Sequence, residues 1–342
     1  MSLVTARPSH KHPQPTTSRT EPSTNNIIIT TTPKNTMATE IHRTNDLTIS
    51  LSHTPTTPGH TLATLTTTTT TLFSLPKSTF TTTLLTLRTI TPILKQTYHT
   101  PRIALITSGN RTISLLPLHG LPSPNTWTPI LSPETTFHDP QTTTSQPNYI
   151  TSKSGPRMPS AQLTHLANTI TTHTLSTPNY TFHGPSTDTN LFANIIRGTE
   201  HPQWRIWEDE SHVAFLTPYP NTPGFTVLVP RRHLGSDIFA LGEEEYKGLV
   251  GAAWTVGRVL MEALGVGRCG MVFEGFEVDY AHVKLVPVYG EGEEDEGGGE
   301  REVFREVYPG YVSSLPGPEV EDVEELVRRA GEIRGVIAAR GV

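Results

Sequence analysis

Tyr280, His282 and Lys284 stand at alternate positions in Asp279-Tyr280-Ala281-His282-Val283-Lys284-Leu285-Val286-Pro287, a stretch in which polar and apolar residues alternate up to a proline. Alternation is the periodicity of a strand, so the three polar side chains share one face while Ala281, Val283 and Leu285 share the core-directed one. Donors spaced about 7 Å apart along a strand suit a phosphate or sugar-phosphate group. A histidine in such a row can attack phosphorus if it is neutral, with one ring nitrogen donating to a fixed acceptor and the other presenting its lone pair. Lys284 disfavours the imidazolium and offsets charge on phosphoryl oxygens, and Tyr280 supplies a hydrogen bond.

Such a row needs elements to hold it. Glu243 to Leu264 carries Tyr246, Leu249, Val250, Ala253, Val256, Leu260 and Leu264 at helical spacing, which predicts a long helix with one apolar face. Before it, Val213-Ala214-Phe215 and Phe225-Thr226-Val227-Leu228-Val229 read as strands. Glu319 to Ala339 reads as an amphipathic helix that opens with acids and ends in arginines, as its dipole favours.

An internal repeat lies under a threonine-rich first half. Thr57-Pro58-Gly59-His60-Thr61-Leu62 matches Thr222-Pro223-Gly224-Phe225-Thr226-Val227, and Arg102-Ile103-Ala104-Leu105 matches Arg268-Cys269-Gly270-Met271. Leu116-Pro117 follows against Val286-Pro287, then residues 148–156 against 310–318. Landmarks in constant order predict two copies of one unit, at 37–175 and 190–340, joined by a linker at 176–189 and preceded by a disordered Thr/Pro-rich tail at 1–36. In the first copy Arg111-Thr112-Ile113-Ser114 occupies the place of the histidine strand, and a counterpart of Trp204 to Phe215 is expected to be missing.

The segments from Asn194-Ile195-Ile196-Arg197-Gly198 through Trp207-Glu208-Asp209, Val213-Ala214-Phe215 and Pro223–His233 to the histidine strand resemble, in order, the histidine-triad (HIT) superfamily over about residues 190–290. The resemblance implies an α+β fold, an antiparallel sheet with a central helix. With two copies it implies an intrachain pseudo-dimer, in which the first copy, near Arg111 to His119, approaches the second copy's strands. The family's three histidines fall on Tyr280, His282 and Lys284, so the retained His282 is at the nucleophile's position. Arg231, Arg232 and His233 match the basic end of a family strand, which makes Arg231 and His233, with Tyr280 and Lys284, the expected substrate-binding residues. Two features depart from the pattern: Thr217 replaces an acid that contacts ribose, and the phosphate-contacting segment before the triad is shortened to Phe273–Val278.

Composition narrows the classes. Residues 1–190 hold 12 Lys+Arg against 6 Asp+Glu and residues 191–342 hold 14 against 26, so the net charge of −6 joins a basic half to an acidic one. No basic stripe with interleaved aromatics points to nucleic acid, and no run approaches the length of a membrane span. Cys269 is the single cysteine, which excludes a disulfide framework and a cysteine-based metal cluster. The acidic run 291–302 lacks the ordered ligand spacing of a calcium loop. No cofactor or metal is expected. The protein is expected in the cytoplasm or nucleus, as a monomer whose partner is a nucleotide or nucleoside-phosphate substrate.

Two functions fit these residues. One is a hydrolase or transferase that acts on a nucleoside phosphoramidate or dinucleoside polyphosphate through a His282–nucleotide intermediate. The other is a catalytically inactive HIT-fold module that binds nucleotides or another protein.

Overall fold

The computed structural model describes residues 38–67, 71–122, 127–132, 149–290 and 301–341, all within one unit that spans Lys34–Val342. The tail expected at 1–36 and most of the acidic run 291–302 lie outside the described residues. In chain order the first copy supplies β1 (Glu40–Arg43), β2 (Leu47–Leu51), β3 (Thr61–Leu65), α1 (Lys77–Thr97), β4 (Ile103–Thr107) and β5 (Thr112–Pro117). Two helices follow, α2 (Ser160–Thr171) and α3 (Leu191–Arg197). The second copy supplies β6 (Arg205–Glu208), β7 (His212–Leu216), β8 (Thr226–Pro230), α4 (Glu243–Leu264), β9 (Arg268–Phe273) and β10 (Val283–Val288), and α5 (Val323–Arg340) comes last.

The strands form one antiparallel ten-stranded sheet in the order β1-β2-β3-β5-β4-β9-β10-β8-β7-β6, which reads the same from either end once the copies are exchanged. The copies join at β4 and β9, where Leu105 pairs with Phe273, Ile106 with Val272 and Thr107 with Met271. A lone five-stranded half would leave the buried, apolar β4 or β9 as an open edge, and pairing the two removes both edges at once. Two α+β copies thus form an intrachain pseudo-dimer.

Two details differ from the sequence reading. The first copy does possess counterparts of the strands expected to be missing, because β1 and β2 stand where β6 and β7 stand in the second copy. Side chains hide the match: Glu40-Ile41-His42-Arg43 shares only the isoleucine with Arg205-Ile206-Trp207-Glu208. The strand that pairs with the second copy is also not in Arg111–His119, although Leu116 and Leu118 share a core cluster with Val272 and Val286, and the His119 carbonyl accepts from the Tyr308 N–H at 3.0 Å. Arg111–His119 belongs largely to β5, which is enclosed between β3 and β4, so β4 makes the join.

Helix α4 forms where its periodicity predicts. Its N-terminal turn carries Glu243, Glu244 and Glu245, the Glu245 carboxylate accepts from the Gly242 N–H at 3.2 Å, and Gly265 ends it in the left-handed region at φ 64°. It packs across β8, β9 and β10 and beside α1, burying Ala281, Val283 and Leu285 in the larger core. The flanking helices are exchanged between copies: α2, which follows the first copy, packs on β6 and α4, whereas α5, which follows the second, packs on β1, β2 and α1. The connecting segments cross at the seam, with the Ser152 N–H donating to the Val312 carbonyl at 3.0 Å and the Ser314 N–H to that of Ile150 at 2.9 Å. Among the described residues no helix is long and apolar enough to cross a membrane.

Candidate functional site

The nine residues 274–282 between β9 and β10 form a loop, so His282 sits one residue before the ladder of β10 begins rather than inside it. The loop's end is tied down from both sides. The Ala281 N–H donates to the Leu234 carbonyl at 2.8 Å, and the Asp279 carbonyl accepts from His233 Nε2 at 2.8 Å and from Asn190 Nδ2 at 3.2 Å. Val283 and Lys284 then pair with Leu228 and Val227 of β8, which fixes the register and hence the face of each side chain.

His282 is 2% exposed. Its Nδ1 lies 2.7 Å from the Tyr280 carbonyl oxygen, and a carbonyl only accepts, so Nδ1 carries the proton and Nε2 the lone pair. Among the described residues none hydrogen-bonds to Nε2, nor is it one of the sealed, unpartnered polar atoms. Burial, and then the neighbouring Lys284 charge, bring the pKa down to about 4 against the opposing pull of the Tyr280 carbonyl and Glu277. The imidazole is therefore neutral near pH 7. Phe192 of α3 sets its ring edge-on to it, centroids 5.3 Å apart.

The flanking residues have other duties. The Tyr280 hydroxyl is fully buried and donates to the Pro230 carbonyl at 2.8 Å, while burial raises its pKa. Lys284 is 3% exposed, and its Nζ lies 3.2 Å from a carboxylate oxygen of Glu274, of Glu277, and from the Ser152 carbonyl. Burial opposes its charge, yet the Glu277 and Glu274 carboxylates outweigh burial and raise its pKa. For Glu277 the balance is the mirror image: burial favours the acid form, but Lys284 and His282, with hydrogen bonds from Lys284 and Ser154, hold it below the usual range. Glu274 accepts further bonds from Ser152 Oγ at 3.0 Å and from the Tyr308 hydroxyl.

Arg231, expected to offer charge to a substrate, instead turns wholly inward. It is fully buried, pairs with Glu208 at 2.5 Å, and donates to the carbonyls of Asp209, Asn179 and Thr181, so a ligand finds no free edge of the fork. His233 stacks on Tyr280 with centroids 4.5 Å apart and lies between Asp188 Oδ2, at 2.7 Å from Nδ1, and the Asp279 carbonyl. It holds the turn that leads to His282. A surface cleft lined by Thr56, Thr57, Pro117, Arg305, Tyr308 and Tyr311 contains none of the residues expected at the site.

No family model matches the chain. An uncharacterised HIT-like protein of Methanocaldococcus jannaschii is 31% identical over 109 residues, which are 30% of this chain and 82% of that protein. The chain belongs to the HIT-like family. The protein named hit of Bacillus subtilis is 28% identical to this HIT-like chain over 108 residues, 30% of this chain and 73% of its own. Among solved structures, a uridylyltransferase aligns over 87% of each chain at 12% identity, with a TM-score of 0.45.

Sequence reasoning about this HIT-like site missed Glu274, Glu277, Ser152, Phe192 and Arg102. The two glutamates were visible in Phe273-Glu274-Gly275-Phe276-Glu277, and two acids so near a lone strand lysine were the available signal for a buried ion pair. Arg102 gave none, because it precedes a strand of the other copy. Its Nη1 donates at 3.1 Å to Ser236 Oγ and at 3.1 Å to the Gly275 carbonyl, and its guanidinium lies 4.6 Å from the Phe276 ring centroid. The site holds one oriented, neutral imidazole, whereas Tyr280, Lys284 and Arg231 are already engaged within the protein.

Proposed function

We propose that the protein is a nucleotidyl hydrolase or transferase in which His282 Nε2 attacks the phosphorus of a nucleoside phosphate. The observation that carries this reading is the Nδ1–H bond to the Tyr280 carbonyl at 2.7 Å, which leaves Nε2 as the base end of a neutral ring. In the first step the Nε2 lone pair forms the N–P bond, the bond from phosphorus to the leaving oxygen breaks, and its electron pair departs with that oxygen. Water, or a second acceptor hydroxyl, then attacks the phosphorus, the P–Nε2 bond breaks with its electron pair returning to Nε2, and the attacking oxygen's proton goes to solvent, so that His282 is again neutral.

The leaving group follows from the neighbours. An amine must be protonated as it departs, and the Tyr280 hydroxyl is directed to the Pro230 carbonyl while Lys284 is held between two carboxylates. A polyphosphate departs as a weakly basic anion without such help. Of the two substrate classes that suit the residues, a dinucleoside polyphosphate fits better than a phosphoramidate.

A second reading, a HIT-fold module that binds nucleotides without turnover, draws support from the 2% exposure of His282 and the commitment of Lys284 and Arg231. Incubating the full chain with diadenosine tetraphosphate and with adenosine 5′-phosphoramidate, and separating products by chromatography, divides the two. Cleavage of the polyphosphate in preference to the phosphoramidate is the expected result. Binding of both without cleavage favours the module, and binding of neither overturns both readings.

A further inference from the structure

Two loops flank the turn that presents His282. One runs from β8 through Leu234 and Ser236, and its Leu234 carbonyl takes the Ala281 N–H. The other is Glu274–Glu277, whose carboxylates hold Lys284. Arg102, the residue just before β4 of the first copy, bridges them, because the same Nη1 donates to Ser236 Oγ and to the Gly275 carbonyl. The fit is close: Gly275 has φ 85°, and a Cβ there would run into the Ser236 carbonyl and the Arg102 guanidinium.

The hydrogen-bond and ring partners of Arg102 are a hydroxyl, a carbonyl and the face of Phe276; among the described residues no carboxylate lies within ion-pair distance of it, and Asp237 and Asp279 act on its charge only from further away. The contrast with Lys284 and Arg231 is direct, since both of those are neutralised by glutamates. Asp237, next along the chain from Ser236, is itself held by Lys95 at 2.6 Å. Nε and Nη2 of Arg102 have no partner among the described residues and are not sealed, and the side chain is partly exposed. The guanidinium lies against the Phe276 ring, and Nε with Nη2 forms the edge that binds two phosphate oxygens at once.

We propose that Arg102 is the phosphate-binding cation of the His282 site, so that the copy without a histidine strand supplies the charge that the second copy has spent internally. The assignment rests on the reading of His282 as a nucleotide site. It also gives the first copy a chemical reason to remain docked: without it the site would bring a polyanion against Glu274 and Glu277 with Lys284 as their only facing cation among the described residues.

The test compares AMP with adenosine, which differ by the phosphate alone, as ligands of the full-length wild-type chain and of Arg102→Gln and Arg102→Lys by equilibrium dialysis. Losing a charge-assisted contact predicts a fall of about 10- to 100-fold in AMP affinity for Arg102→Gln, with adenosine affinity unchanged. Arg102→Lys is expected to keep part of the preference, and AMP binding by the glutamine variant to depend less steeply on salt than the wild type's. Unchanged AMP affinity in Arg102→Gln, with a wild type that prefers AMP, overturns the assignment and leaves the nucleotide reading intact. An equal loss of AMP and adenosine binding marks a purely structural role and also overturns it. A wild type that binds neither overturns the nucleotide reading and this proposal with it.

Discussion

Replacing Lys284 with methionine tests whether that cation is spent on the fold or available to a ligand. Methionine keeps the unbranched stem and removes the charge, leaving Glu274, with a side chain 3% exposed, as a buried carboxylate without its cation. Removing one partner of a buried ion pair costs about 3–5 kcal/mol. Ser152 Oγ and the Tyr308 hydroxyl still donate to Glu274, which places the expected loss at about 3 kcal/mol, the lower end of that range. At roughly 2 °C per kcal/mol for a chain of this size, Tm falls by about 6 °C. The double variant Lys284→Met with Glu274→Gln removes the orphaned charge and is expected to be more stable than Lys284→Met alone. NMR titration of His282 supplies an independent readout, because loss of the Lys284 repulsion raises its pKa from about 4. A single variant within 1 kcal/mol of wild type, with no change at His282, would refute the reasoning and return Lys284 to the substrate.

Further outcomes follow from the same structure. His282 and His60 are buried and neutral, with pKa values lowered to about 4 and about 3, burial being the leading cause for both. Unfolded chains bind those protons below pH 6.5 and the folded chain does not, so each contributes about 1.4 kcal/mol of lost stability per pH unit as pH falls from 6.5 to the folded value, and nothing above 6.5. His60→Phe, which places in the first copy the residue that the second carries at Phe225, is expected to flatten urea-derived stability against pH by about that slope; parallel curves would contradict the assignment. Gly109 lies two residues past β4 at φ 85°, where a Cβ would enter the Cys269 backbone, so Gly109→Ala is expected to cost more than about 3 kcal/mol by strain at the seam. Expression of 185–342 alone exposes β9 and removes α2, and aggregation or a steep loss of thermal stability is expected; a monomer as stable as the full chain would show that the seam contributes little.

The second copy was legible because its sequence is locally consistent. The apolar stripe from Tyr246 to Leu260 is a helix over the bounds its periodicity gave, and Ala281, Val283 and Leu285 enter the core face that alternation assigned them. The first copy was legible through turn chemistry, since Thr57-Pro58-Gly59 and Thr222-Pro223-Gly224 both need a glycine in the left-handed region, at φ 80° and 82°. Its β1 and β2 were not legible, because four- and five-residue strands sharing almost no side chains with their counterparts carry little periodic signal. Nor were the partners of Lys284 and Arg231. Alternation fixes the face on which a cation lies, but whether a carboxylate waits there depends on Glu274 and Glu208, brought in by other segments. The exchange of α2 and α5 goes with two segments that cross and pair at Thr151 and Ser313, which no local pattern announces.

The proposed reaction turns on a bond from His282 Nε2 to phosphorus. The direct measurement is mass spectrometry of the full chain quenched in the first moments of reaction with diadenosine tetraphosphate, alongside His282→Asn under the same conditions. An acid-labile adenylate mapped to His282 in the wild type and missing from the variant, with both chains melting alike, is the expected result. Product formation that persists in His282→Asn, or an adenylate on any other residue, would contradict the account.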